Sequence, residues 1–290
     1  MLRPLEKLLG AFLSEVQPGI LVNSERPAGL IQMTCAHELG HYYLDHGTTA
    51  DGQLDYGNSA LKKELEADWF AYSLVAPRWA VANILRRKGW SAADLAHPFV
   101  LYQFSLRLGI SYTAAAWSLN RLELMDRSVV NEVLQTQPAA IKRSLLNKPL
   151  ENAQRDVWLL DDADRDLILE PRLDDQLLIR LKNHTNAGYV WTANDIASEG
   201  FVVEPLLDTT PASQRDEPFI AGGAQLQDYL VSPKLSVPSD LHHLQLYKRK
   251  AWEPADQAID TFQTAARYED LSSGLSSAAK EVLLQGIDRS

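Results

Sequence analysis

Near residue 150 the chain changes period, and no single architecture suits both parts. Up to Leu134, apolar residues recur at helical spacing over Ala28 to His46, Ser59 to Val75 and Arg78 to Lys88, then over three further stretches. "GILVN", Gly19 to Asn23, is the one short strand candidate before that point. Pro77 stands where a helix stops or a new one starts. Beyond Leu150 the period is two. "VWLL", "LILEPRL", "QLLIRLKN", "GYVWTAND", "FVVEPLL", "LHHLQLYKR" and "AIDTFQTAARY" are short runs separated by Gly, Pro, Asn and Asp clusters. Periods of 3.6 and 2 bury different faces of the backbone. The expectation is an α+β chain of two domains, a mainly helical one over residues 1–150 and a β-sandwich over residues 151–270. A length of 290 residues suits that division. The end, 271–290, reads as a Ser/Gly linker with one short helix.

Charge and composition narrow the function. A formal net charge of −10 argues against direct nucleic-acid binding and against an anionic membrane surface, both of which need a basic face. The opening "MLRPLEKLLGAFLSEVQPG" carries Glu6, Lys7 and Glu15 inside its apolar run. That interruption gives an amphipathic helix pattern and not the continuous apolar core of a signal peptide. No apolar run approaches the roughly 18 residues that span a bilayer. The single cysteine, Cys35, allows no intrachain disulfide, which suits a reducing compartment. A cytoplasmic protein is expected.

Chemistry concentrates in "MTCAHELGHYYLDH", Met33 to His46. His37 and His41 are four apart, which on a helix puts them about 40° apart in azimuth and about 6 Å along the axis. Two imidazoles so placed converge on one ion. Glu38 is turned about 100° from His37, beside such an ion, where a general base for a metal-activated water belongs. Gly40 costs about 1 kcal/mol in a helix interior, and its presence implies a close approach to the backbone there. A catalytic zinc site needs a third protein ligand. His46 lies about 140° round from His41 and is expected to face away. "LKKELEADWFAYSLVAP" offers Glu64 and Asp68, again four apart and on one helix face. Glu64 can complete a His, His, Glu set, and Asp68 can accept the outer ring N–H of a ligating histidine. Glu66 points about 200° from Glu64 and reads as a solvated residue, although an exchange of roles between the two stays open.

Three blocks, "RPAGLIQMTCAHELGHYYLDH", "ELEADWFAYSLVAP" and "LRLGISYTAAAWSLNRLELM", together resemble the ImmA/IrrE family of zinc metallopeptidases over roughly residues 15 to 130. The resemblance implies a zincin-like domain, Zn2+ held by His37, His41 and Glu64, and Glu38 as catalytic base. It also implies an intracellular endopeptidase whose protein substrate is a DNA-binding repressor of the helix-turn-helix class, cut to switch on stress, phage or mobile-element genes.

Other features carry weaker readings. Leu106 to Glu123 has the look of a helix-turn-helix, but its second half offers only Arg121 against Glu123, too little charge for a DNA reader. Packing beneath the metal site is favoured, with Tyr112 and Arg121 as candidates for stabilising an oxyanion. Cys35, Tyr42 and Tyr43 read as packing residues. "DDADRD", Asp161 to Asp166, lacks the glycine and glutamate of a calcium loop and reads as an acidic turn. His184, His242 and His243 have no ligand spacing.

In the second domain "NHTNAGYVW", "IAGGA" and "YKRKAW" resemble, in order, the three inhibitory loops of chagasin-type cysteine-protease inhibitors. That resemblance implies an immunoglobulin-like β-sandwich over roughly residues 153 to 268. A recognition or sensing module is favoured over protease inhibition, with Tyr189, Trp191, Arg249 and Trp252 as candidate contacts. Two functions therefore compete: a zinc endopeptidase, and a non-catalytic regulatory binding protein acting through the β-domain. The intact Glu38 favours the enzyme, since a retired site has no need of the base.

Overall fold

The computed structural model describes residues 1–14, 18–51, 61–150, 152–193, 198, 200–206, 225–233 and 241–268. The expected linker and helix at 271–290, and the stretch "IAGGA" at 220–224, lie outside the described residues. The chain divides into two compact units, residues 1–86 with 90–136 and residues 87–89 with 137–269. Among the described residues no helix is long and apolar enough to cross a membrane.

The first unit opens with a sheet, which corrects the helix expected of its first residues. Strands β1 (Leu2–Arg3), β2 (Gly10–Leu13), β3 (Gly19–Asn23) and β4 (Thr49–Asp51) form one sheet in the order β1-β3-β2-β4. β2 runs antiparallel to both neighbours, with Phe12 opposite Ile20 on one side and Thr49 on the other. Gly10, Ala11 and Phe12 are all buried. A strand covered on both faces shows an unbroken apolar run, and a short run of that kind also satisfies helical spacing. The loop before β2 is held by the buried Asn23, whose Nδ2 donates to Leu5 O at 2.6 Å and Leu8 O at 3.0 Å.

Among the described residues six α-helices follow in order: α1 (Ala28–Tyr43), α2 (Lys62–Val75), α3 (Arg78–Lys88), α4 (Pro98–Leu108), α5 (Tyr112–Arg121) and α6 (Arg127–Val133). α1 stops three residues short of the expected His46, because Leu44 caps it and Asp45 takes a left-handed conformation at φ 54°. α5 starts at Ser111, whose Oγ accepts from Ala114 N at 3.1 Å. Its residues Ala114, Ala115, Ala116 and Leu119 are fully buried, so this face of α5 belongs to the core.

Among the described residues the second unit contains α7 (Pro138–Leu146) and eight strands. These are β5 (Val157–Leu160), β6 (Ile168–Leu169), β7 (Gln176–Asn183), β8 (Tyr189–Ala193), β9 (Phe201–Leu206), β10 (Gln225–Pro233), β11 (Leu241–Lys250) and β12 (Asp260–Arg267). They form two four-stranded sheets, β5-β7-β10-β9 and β6-β12-β11-β8. β10 was not among the seven period-two runs, yet it pairs antiparallel with both β7 and β9. Its Asp228 breaks the apolar pattern. In the sheet that carboxylate lies opposite Arg180 and accepts two hydrogen bonds from its guanidinium, each 2.8 Å. The acidic stretch Asp161 to Asp166 is a capped turn, with Ala163 N donating to Asp161 and Asp161 N donating to Asp164.

Candidate metal centre

The centre is built where α1 crosses α2. A Cβ at Gly40 would lie 3.0 Å from Ala67 Cα and 3.1 Å from Ala67 O. Only a residue without a side chain lets α2 come that close, and Ala67 stands immediately before Asp68 and one turn after Glu64. The cost of glycine inside α1 is thus offset by the placement of α2. A cluster of Leu9, Met33, Ala36, Ala71 and Tyr72 packs beneath the crossing, against Leu30, Val75 and Trp117.

Three donor atoms converge above it. His37 Nε2 lies 3.1 Å from His41 Nε2 and 3.3 Å from Glu64 Oε2, and His41 Nε2 lies 3.4 Å from the same oxygen. Ligands about 2.1 Å from a tetrahedral ion are about 3.4 Å from each other, so the donor set fits a metal of zinc's size. Both histidines are buried and Glu64 is partly buried. Asp68, itself buried, accepts from His37 Nδ1 at 2.9 Å. That contact places the ring's hydrogen on Nδ1 and leaves Nε2 as a lone pair turned to the other donors. Burial, ahead of neighbouring His37 and His46, pushes the His41 imidazole down to about 3, so it is neutral at neutral pH. Three acceptors crowded to this distance repel one another unless a cation or a ring hydrogen lies between them.

Glu38 is fully buried on the face of α1 beside this cluster. Thr49 Oγ1, on β4, donates to its Oε2 at 3.4 Å. Gly10 on β2 leaves room for the carboxylate, since a Cβ there would lie 2.5 Å from Glu38 Oε1 and 2.6 Å from Thr34 Cγ2. The unexpected N-terminal sheet therefore forms the wall against which the base is set.

Other residues singled out from sequence fall elsewhere. Glu66 is turned away from the donors, pairing with Lys62 at 3.3 Å and with His46 at 3.2 Å. His46 does not face away, as its position on an extended helix implied. The left-handed Asp45 folds the chain back, and His46 Nδ1 comes to 3.0 Å from His41 Nδ1. No helical spacing could have signalled this, because the contact depends on where the helix ends.

Tyr112 is buried and its hydroxyl donates to Val133 O at 2.9 Å. Burial pushes that phenol up to about 12. We correct its candidate role as an oxyanion donor, since the group is spent inside the helical core. Arg121 lays its guanidinium over the Tyr72 ring at 3.5 Å and donates to Trp117 O. It lines a groove of about 520 Å3 with Trp69, Tyr72 and Arg78. Cys35 is half-buried, and burial pushes its thiol up. Tyr43 stacks on Phe70 and Tyr42 meets Phe12 edge-on, both from exposed positions.

In the second unit the four candidate contacts separate. Trp191 is only 5% exposed and donates from Nε1 to Lys182 O at 3.0 Å, so it is core and not a contact. Arg249 is half-buried, donating to Thr192 Oγ1 at 3.1 Å and to Glu253 O. Tyr189 is half-buried beneath Lys250, whose Nζ lies 5.7 Å from its ring. Trp252 alone among the four is open, at 72% exposed, with its indole close over Gly188. His184 contacts Lys248 Nζ at 2.8 Å, and His242 lies among Phe201 and Tyr268.

A buried His-His-Glu cluster with an adjacent carboxylate, on two crossed helices, is the arrangement of a metallopeptidase centre. Residues 3–119 match the family model Peptidase_M78, the IrrE N-terminal-like domain. This part of the chain is therefore similar to metallopeptidases of the IrrE/ImmA type, and it spans less than half of the chain. Among solved structures, the chain is similar to the cysteine protease inhibitor EhICP2 from Entamoeba histolytica. The identity is 13% and the TM-score 0.30, over 40% of this chain and 97% of that one. It is also similar to amebosin, at 18% identity and a TM-score of 0.29, over 39% of this chain and 98% of that one. No curated protein matches the chain.

Proposed function

We propose that the protein is a zinc-dependent endopeptidase that cuts a helix-turn-helix transcriptional repressor and so switches on stress, phage or mobile-element genes in the cytoplasm. The observation that carries this reading is the convergence of His37 Nε2, His41 Nε2 and Glu64 Oε2 to 3.1–3.4 Å beside the buried Glu38. Zinc, when bound, supplies a Lewis acid that acidifies water and polarises a peptide carbonyl. The three donors would hold it from α1 and α2, and Asp68 keeps the His37 ring in the binding tautomer. Glu38 accepts the attacking water's proton and delivers it to the leaving amine. Likeness to the IrrE domain supports a peptide bond as the target. The repressor as substrate rests on the resemblance of the three sequence blocks, and a net charge of −10 agrees with a partner that binds DNA where this chain does not.

The second unit, in this reading, is an immunoglobulin-like β-sandwich that selects the substrate or receives the signal. Trp252 supports that role, because an indole left open at the end of a hairpin is the kind of side chain that anchors a partner.

The test uses the full chain and a candidate helix-turn-helix repressor from the same organism, followed by intact mass. Cleavage at one site, lost with a chelator and regained with zinc, is the expected result. A repressor left intact by the zinc-loaded protein refutes the substrate assignment. In the same assay Trp252→Ala should slow repressor cleavage about tenfold while a generic peptide is cut at the wild-type rate. Equal slowing of both substrates, or of neither, removes the recognition role from the second unit.

A further inference from the structure

The outer side of His41, turned from the other donors, is held by contacts of its own. α1 ends at Tyr43, Asp45 turns left-handed, and His46 N donates to His41 O at 3.1 Å. This brings the His46 ring edge-on to that of His41, with centroids 5.1 Å apart and planes at 69°. The two Nδ1 atoms are 3.0 Å apart, and the other His46 nitrogen, Nε2, lies 3.2 Å from Glu66 Oε2. Glu66 is in turn held by Lys62 one helical turn before it.

The direction of these hydrogen bonds follows from the chemistry of the groups. A carboxylate only accepts, so His46 Nε2 carries the hydrogen that points at Glu66. In a neutral imidazole the other nitrogen is then a lone pair. Where no ion lies between two ring nitrogens, a contact of 3.0 Å needs one hydrogen between them, and here it sits on His41 Nδ1. His41 Nε2 is thereby left as a lone pair, aimed at Glu64 and His37.

We propose that His46 and Glu66 are positioning residues of the metal centre. The chain Glu66–His46–His41 sets the tautomer and ring plane of His41 so that its Nε2 is ready to bind the ion. The inference rests on the reading of His37, His41 and Glu64 as the ligands. It gives the two ligating histidines different supports: His37 leans directly on a buried carboxylate, and His41 reaches a partly exposed one through a second imidazole. The arrangement also explains why Glu66, two residues after Glu64 on α2, is oriented toward His46 and not toward the donor atoms.

The measurement is the zinc dissociation constant of the full chain, by competition with a chromophoric chelator, for wild type, His41→Ala, His46→Phe, His46→Asn and Glu66→Ala. His46→Phe removes the acceptor and keeps a ring, and it should weaken zinc binding by about 10- to 100-fold. His46→Asn keeps an acceptor oxygen near the place of Nδ1 and should recover most of that loss. In the metal-free protein, nitrogen-15 spectra of His41 should show the Nδ1–H tautomer in wild type and His46→Asn, and a shift toward Nε2–H in His46→Phe. Equal zinc affinity in wild type and His46→Phe overturns the proposal, as does an Asn variant no better than the Phe variant. Should His46→Phe not fold, Glu66→Ala decides: a severalfold weaker affinity is expected, and an unchanged one overturns the proposal. A wild type that binds no zinc, or a His41→Ala that binds it as tightly as wild type, refutes instead the ligand reading on which the inference stands.

Discussion

Glu38→Gln is expected to hold zinc as the wild type does, to keep the wild-type fold, and to lose peptide cleavage by about a hundredfold or more. The amide matches the carboxylate in size, which matters because Glu38 is fully buried and Gly10 leaves it no more than its own space. Thr49 Oγ1 can donate to the amide oxygen as it does to Oε2, so the side chain keeps that anchor on β4. The amide cannot take a proton from water, and loss of a positioned general base costs about 10²- to 10⁴-fold in rate. Because the ligand cluster is His37, His41 and Glu64, metal content should not change. Zinc content by elemental analysis and cleavage by mass spectrometry give the answer together. Undiminished hydrolysis by the glutamine variant would end the proposed mechanism, and loss of zinc from it would show that Glu38 is a ligand.

The second large effect concerns the ligands. His37→Ala, His41→Ala and Glu64→Ala should each lower zinc content from about one per chain toward zero and abolish cleavage, since a centre of this kind has three protein ligands and none to spare. Glu66→Ala should stay close to full occupancy at saturating zinc, because its carboxylate touches His46 and Lys62 and not the donor atoms. Retention of zinc by Glu64→Ala with its loss from Glu66→Ala would reverse the assignment on α2. The arithmetic of helix azimuth favours Glu64, and the structure gives the distances: Glu64 Oε2 is 3.3 and 3.4 Å from the two Nε2 atoms.

Much of the helical unit could be read without coordinates because its signals are local. Helix α3 runs over the same residues as its apolar spacing indicates, and "GILVN" is a strand as its composition suggests. The first strands could not be read in that way. "LLGAFL" is apolar at every position because successive residues of β2, Gly10, Ala11 and Phe12, are all buried, and nothing local separates such a strand from a helix. β10 hid for the opposite reason. Its Asp228 spoils the alternation, and only the opposing Arg180, 48 residues earlier, makes that charge fit a sheet. Trp191 and Trp252 looked equivalent in sequence, and one proved to be core and the other open, since aromatic residues serve both places with the same composition.

What the amino-acid order alone determined is the set of spacings: His37 with His41, Glu38 beside them, and Glu64 with Asp68. Helix geometry turns each spacing into a shared face without help from the rest of the chain. What only the tertiary structure decided is how the two faces meet. The bare backbone at Gly40 lets α2 approach until Ala67 touches it, and that contact selects the register that sets Glu64 on the donors, Asp68 on His37 and Glu66 on His46. The return of His46 to His41 likewise depends on one left-handed residue after the helix end. Contacts across the fold choose such a backbone state, which the intrinsic preference of Asp45 leaves open.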